Sequence, residues 1–152
     1  MSSTSSLLLT VRLEPSEVKV ELHNPTGDPV RVWELANSWG GASWALHLTA
    51  AGSGTDLVLR PTKQPYTANV PRFLEVPARG HREVRLAPAG PEWTFGEDLS
   101  ALQGVPLGVR VVLDIAPSQE AEEHHVATGR VESAEALSQP PHTWLFGAPA
   151  AR

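Results

Sequence analysis

Four consecutive titratable side chains, Glu122, Glu123, His124 and His125, have residue types that could bind a metal ion. Zinc and other divalent ions accept carboxylate and imidazole ligands. In a β-strand, however, adjacent side chains point to opposite faces, so His124 and His125 could not ligate one ion without a bulge. We therefore predict a solvated turn leading into a strand, with no metal site and no cofactor. The spacing of the remaining histidines gives no hint of a shared site, and we expect them on the surface: His23, His47, His81 and His142.

Sequence signatures of covalent catalysis are missing. The chain has no cysteine and no Gly-x-Ser-x-Gly motif, so it offers neither a thiol nor a nucleophile elbow for acyl transfer. The glycines at 52 and 54 lack the third glycine and the following helix of a phosphate-binding loop. The carboxylate pair Glu97 and Asp98 could hydrolyse a glycoside only in a shaped cleft, which no sequence feature indicates. We expect a protein that is not an enzyme.

The five tryptophans are the most unusual feature of the composition. Trp33 and Trp44 lie on predicted strands, and we interpret them as core residues. Trp39 and Trp93 fall in predicted loops, where a large ring is harder to bury. Each could anchor a partner, because aromatic side chains dominate interface hot spots, or each could cap an end of the fold. Trp144 lies in the C-terminal tail.

Length, charge and composition limit the class of protein. A chain of 152 residues suits one domain, and its 14 prolines and 12 glycines favour short strands joined by turns. A formal net charge of −5 and the lack of a basic run argue against nucleic-acid binding. No apolar run approaches the roughly 20 residues that span a bilayer, and residues 1–10 do not resemble a signal peptide. Because no disulfide can stabilise the fold, we predict a cytoplasmic location without membrane association.

Apolar and polar residues alternate with the period of a half-buried strand in four segments, 7–13, 18–22, 42–48 and 109–115. Weaker strand signals bring the total to about eight strands, with one helical turn predicted at 99–103 and a polar hairpin-like connection at 117–123. These weaker strand segments are 30–35, 73–76, 84–86 and 126–134, and a short apolar segment lies at 57–59. The pattern predicts an all-β fold, an immunoglobulin-like antiparallel β-sandwich of about seven to nine strands.

The C-terminal segment differs in character from the rest. We divide the chain into a β-sandwich domain over residues 1–137 and a Pro-rich apolar tail over residues 138–152. The prolines of the tail predict neither a strand nor a helix there. Trp144, Leu145 and Phe146 each gain about 25 cal/mol per Å² of buried apolar surface, so we expect the tail to dock on the domain or on a partner.

Three short motifs carry a family resemblance. They are a V-x-L-x-N segment with a following turn at 20–25, a proline- and glycine-bearing turn at 76–80, and a glycine that leads into a strand at 108–111. With the order of elements, they resemble bacterial immunoglobulin-like modules, including the small intracellular proteinase-inhibitor type. The resemblance covers residues 7–135 and implies the sandwich fold. No motif here matches the inhibitory loop of that family, so the resemblance assigns no functional residue.

We expect a non-catalytic intracellular module, with a binding or inhibitory role, that contacts another protein through exposed loops at 64–73 and 88–103. The residues predicted to contact the partner are Trp39, Tyr66, Trp93, Trp144 and Phe146. One alternative is a small-ligand or carbohydrate module in which Trp39, Trp93 and Tyr66 form a stacking platform. Another is a structural homodimer in which the tail packs on a second copy.

Overall fold

The computed structural model describes residues 3–35, 38–61, 72–89, 93 and 99–147. These residues form ten strands in antiparallel pairs, which confirms the all-β part of the predicted fold class. The strands are β1 (Leu8–Leu13), β2 (Val18–His23), β3 (Val30–Trp33), β4 (Trp44–Ala50), β5 (Asp56–Leu59), β6 (Phe73–Val76), β7 (His81–Leu86), β8 (Leu107–Ile115), β9 (Gly129–Glu132) and β10 (Ala136–Ser138).

The helical segments are short. They are α1 (Ser38–Gly41), α2 (Gln119–Glu123), α3 (Thr143–Phe146) and the 3₁₀ turns Thr4–Ser6 and Ser100–Leu102. The second 3₁₀ turn confirms the helical turn predicted at 99–103. None of the helices in the described ranges has the length and hydropathy of a transmembrane segment.

The first sheet has the strand order β1-β2-β7. On its central strand Val18, Val20 and Leu22 are fully buried, while Glu21 and His23 point outward and are only partly covered. The register pairs Val20 with Val11 on one side and with Val84 on the other. Period-2 alternation thus places one apolar face of all three strands on the core, as the sequence predicts.

The second sheet has the order β10-β8-β4-β5, and β9 also pairs with β8. β9 and β10 lie one after the other along the same edge of β8, separated by a bulge at residues 133–135. Two hydrogen bonds connect the bulge to β8: Ser133 Oγ accepts from the Val111 amide at 2.9 Å, and the Ser133 amide donates to the Val111 carbonyl at 2.9 Å. The predicted strand at 126–134 is therefore shorter, and it resumes as β10.

A two-stranded sheet of β3 and β6 completes the fold. Its Val32 and Val76 are fully buried, and they join residues of the two larger sheets in one hydrophobic core. Trp44 on β4 is also fully buried there, and its indole Nε1 donates to the Trp33 carbonyl at 3.3 Å. Both rings therefore occupy the core, as predicted from their strand positions.

Two expectations about irregular segments were wrong. Residues 119–123 form helix α2 rather than a polar hairpin-like connection, because Ser118 caps the helix and Ala121 turns into the core. The tail also contains a helical turn, α3, although we predicted none.

Burial of apolar side chains explains the helical turn in the tail. Trp144 and Leu145 are buried in the core of their own chain, and Phe146 packs against it. The expectation that His142 lies on the surface was wrong: its ring is buried and holds this segment in place, with Nδ1 2.6 Å from Ser138 Oγ and Nε2 2.6 Å from the Val105 carbonyl.

Candidate functional site

The connection between β8 and β9 contains helix α2 and brings the candidate site together. Ser118 Oγ accepts from the Ala121 amide at 3.0 Å, which starts the helix, and buried Ala121 anchors it to the core. After the helix the backbone of His125 adopts a left-handed conformation with φ of 54°. The chain then reverses, and Val126 forms a parallel bridge to β3. This reversal directs the two neighbouring histidines into different surroundings.

His125 lines a cleft of about 650 Å³ beside the helix, which we call the α2 cleft. The apolar lining residues are Pro117, Ala121 and Val126, which we call the floor; Pro117 is exposed, whereas Ala121 and Val126 are almost fully buried. The rim is polar, with exposed Glu122 and His125. Ser118 and Thr128 complete the lining. In the part of the chain that the structure describes, neither the Glu122 nor the His125 side chain makes a hydrogen bond or an ion pair.

His124 instead belongs to an aromatic cluster formed with Trp33, Trp39 and Phe73. The Trp33 and Trp39 rings lie 5.7 Å apart between centroids, and the His124 ring is 6.2 Å from Trp33 and 6.2 Å from Phe73. Trp33 is buried, whereas the other three rings are half-buried and reach the surface. The cluster therefore combines a fixed inner ring with partly accessible outer rings.

Arg31 holds the aromatic cluster against the α2 connection. Its guanidinium lies 4.3 Å from the centroid of the Phe73 ring, and its Nη1 donates to the His124 carbonyl at 3.0 Å. Its Nε donates to Glu75 at 3.2 Å. A cation over an aromatic face and two charge-assisted hydrogen bonds hold this arginine in one position. The aromatic cluster and the α2 cleft are thus adjacent parts of one surface.

The outer face of the second sheet has a separate group of charges. Glu132 accepts from Arg110 at 3.1 Å and from Arg130 at 3.2 Å, and the bond from Arg130 is the main reason its carboxyl pKa is lowered. Partial burial, followed by the charges of Arg110 and Arg130, lowers the pKa of His47. The carboxylate of Glu132 therefore offsets part of the positive charge on this face, which gives little reason to expect an anion site.

The tertiary structure also brings together two histidines that are far apart in sequence. His23 on β2 and His81 on β7 pair in register, and both Nε2 atoms approach the carboxylate of Glu21, at 3.6 Å and 3.7 Å. The spacing of these histidines along the chain does not indicate this convergence, because it depends on strand pairing. Across the described residues, no group of three or more histidine and acidic side chains is arranged to hold a metal ion.

The structure separates the five residues predicted to contact a partner. Trp93 is 5% exposed and Trp144 is 3% exposed, and both rings pack in the core of the chain. Trp144 also donates its Nε1 proton to Ser138 Oγ at 2.7 Å. Both rings are therefore buried in this conformation, and their contact with a partner stays a prediction. Trp39 and Phe146 are half-buried, and Tyr66 lies outside the described residues.

Sequence reasoning missed Phe73 and Arg31 as members of the candidate site, and it considered Glu122 only as a possible metal ligand. Phe73 and Arg31 look like ordinary residues of short strands, and only the pairing of β3 with β6 places them beside His124. Most of the loops proposed for recognition, 64–73 and 88–103, lies outside the described residues.

No protein-family model, no curated protein and no solved structure matches this chain. The structure itself shows an all-β domain in which an aromatic cluster lies beside the α2 cleft.

Proposed function

We propose that the chain is a non-catalytic protein-interaction module of the cytoplasm, built on an immunoglobulin-like β-sandwich. The order β1-β2-β7 parallels the A-B-E sheet of that fold, and β10-β8-β4-β5 parallels its G-F-C-C′ sheet. Buried Trp44 occupies strand C in this comparison, where immunoglobulin domains carry a core tryptophan. Two of the motifs that carry the family resemblance, at 20–25 and 76–80, are also hydrogen-bonded to each other: the main-chain N–H of Asn24 donates to the main-chain carbonyl of Gly80 at 2.9 Å.

The observation that carries the functional proposal is the partly exposed aromatic cluster with its fixed arginine. Trp39 rests on the buried ring of Trp33, so its orientation is set before a partner arrives. Tryptophan and arginine are the residue types most enriched among interface hot spots. A rigid ring also loses little conformational entropy on binding. This surface therefore suits recognition of another protein.

The two alternative functions receive less support. A carbohydrate platform was to use Trp39, Trp93 and Tyr66, but the Trp93 ring is buried. A dimer formed by an exchanged tail would have to remove Trp144 and Leu145 from the core of their own chain. Neither alternative has an observation of its own that favours it over protein binding.

A comparative capture experiment tests the proposal. Wild-type protein, Trp39→Ala and Leu8→Ala are immobilised and exposed to extract of the source cell, and the retained proteins are identified and purified. Leu8 is the matched control, because it is 61% exposed and lies on β1 of the first sheet. We expect a partner that wild type and Leu8→Ala retain and that Trp39→Ala binds about thirty-fold more weakly, the effect of losing a hot spot of about 2 kcal/mol.

Two results would contradict this function. One is the absence of any specifically retained protein, and the other is equal affinity of the purified partner for all three proteins. Circular dichroism and thermal unfolding of Trp39→Ala establish that the variant is folded, so that a loss of binding reports on the surface.

A further inference from the structure

The α2 cleft has the size and the floor of a site for one apolar side chain with its flanking backbone. Its volume of about 650 Å³ falls within the range of roughly 300–1,000 Å³ that is typical of small-ligand sites. Pro117 is exposed and supplies accessible apolar surface to the floor, whereas Ala121 and Val126 are 1% and 6% exposed and fix the floor to the hydrophobic core. The floor therefore favours an apolar group over a polar one.

The rim of the cleft carries negative charge. Glu122 is exposed, and its carboxylate has no ion-pair partner among the described residues. Glu123, the next residue of the helix, is outside the lining and already accepts a hydrogen bond from Gln119 at 3.0 Å. The formal net charge of the whole chain is −5. Both the local and the overall charge therefore favour a cationic group beside the apolar floor.

His125 adds a hydrogen-bonding group on the same rim. Its imidazole has no partner within the described ranges, and a ring with one donor and one acceptor nitrogen can bind a peptide group. The α2 cleft thus combines a hydrogen-bonding ring, a negatively charged carboxylate and an apolar floor.

We infer that the α2 cleft binds a short segment of a partner protein in which an apolar side chain is flanked by lysine or arginine. This inference rests on the proposed protein-interaction function and specifies the chemistry of the partner. The apolar side chain occupies the floor, and the flanking cation pairs with Glu122.

The experiment uses the full chain and two labelled pentapeptides. One has a central leucine between two lysines, and the other has glutamates in place of the lysines. Binding is followed by fluorescence anisotropy at low salt for wild type, Glu122→Lys and Glu123→Lys. The two variants are matched, because they make the same charge change at adjacent exposed positions of one helix and only Glu122 lines the cleft.

We expect saturable binding of the lysine peptide and at least about fivefold weaker binding of the glutamate peptide, since one exposed ion pair contributes up to about fivefold and its reversal adds repulsion. Glu122→Lys should weaken the lysine peptide at least about fivefold, and Glu123→Lys less than about twofold. No saturable binding at about 1 mM peptide, equal binding of the two peptides, or equal effects of the two substitutions would each overturn the inference.

The two proposals can fail separately. If a Trp39-dependent partner is captured but the lysine peptide does not bind, the interaction module stands and the inferred ligand chemistry is wrong. If the peptide binds through Glu122 but no cellular partner is retained, the cleft has the inferred chemistry and the proposed function loses its support.

Discussion

Replacing Asn24 with alanine should destabilise the protein strongly without touching the candidate site. Asn24 is 2% exposed, and its side chain makes four hydrogen bonds. Its Nδ2 donates to the carbonyls of Asp28 at 2.7 Å and Val76 at 3.2 Å. Its Oδ1 accepts from the amide of Thr26 at 3.0 Å and from the Thr26 hydroxyl at 2.6 Å. The side chain thus ties the turn after β2 to the end of β6.

The expected change in the free energy of unfolding follows from the hydrogen bond that each partner of Asn24 loses. A typical hydrogen bond contributes about 1 kcal/mol net, and a buried group left unsatisfied costs about 1–3 kcal/mol. The bond to the Val76 carbonyl is buried, whereas the partners at Thr26 and Asp28 lie nearer to solvent. We therefore expect Asn24→Ala to lower the free energy of unfolding by about 3 kcal/mol.

Urea unfolding followed by tryptophan fluorescence measures this loss. With a dependence of about 2 kcal/mol per molar urea, the midpoint should fall by about 1.5 M. Asp28→Ala is the control, because the side chain of Asp28 is exposed and only its main-chain carbonyl accepts the bond. This control should stay within about 0.5 kcal/mol of wild type. A loss below about 1 kcal/mol for Asn24→Ala, or an equal loss for Asp28→Ala, would refute the reasoning.

Three other substitutions test the packing and the electrostatics. Gly40→Ala should cost more than about 3 kcal/mol of stability or prevent folding, because a Cβ would overlap the main-chain carbonyl of residue 34. The control Gly27→Ala places its Cβ in open space and should leave the thermal midpoint nearly unchanged. Equal midpoints of the two variants would contradict this. His142→Ala should cost about 3 kcal/mol and make the tail sensitive to limited proteolysis, because it removes both hydrogen bonds of the buried ring; an unchanged cleavage rate would count against it. The folded state lowers the pKa of His47, so stability from this group is present above about pH 6.5 and falls as the pH drops through that value. His47→Gln should therefore lose less stability than wild type between pH 8 and pH 5 in urea titrations, and identical pH profiles would show that the imidazole contributes nothing.

Most strands could be read from the sequence because their signal is local. On β2 one face is buried against the core, so hydrophobicity alternates with the pleat and is visible in a window of a few residues. β8 has the same alternating apolar positions from Val109 to Ile115, although Val112 on its other face is buried as well. The helix α2 also had a local signal, a serine cap followed by glutamine, alanine and glutamates, but its polarity favoured the interpretation as a turn. The residues 133–135 gave no such signal, since a bulge depends on the partner strand.

The burial of the tryptophans outside the strands could not be predicted in the same way. Trp39 and Trp93 both follow turn-like residues, yet one ring is half-buried and the other is 5% exposed. Trp144 is buried although two prolines precede it. Its indole N–H donates a hydrogen bond to Ser138 Oγ, and its ring packs in the hydrophobic core. Burial of a loop or tail ring depends on which surfaces remain uncovered after the sheets have paired, and that information is spread over the whole chain.

By itself the sequence determined the all-β class, the positions of the main strands and the inward placement of Trp33 and Trp44, because each follows from the alternation of neighbouring side chains. The tertiary structure alone decided that His124 joins Trp33 and Phe73 while His125 lines the α2 cleft, and that His23 meets His81. These contacts join residues from separate strands and connections. Strand register and a left-handed backbone at His125 create them, and neither leaves a periodic pattern in the chain.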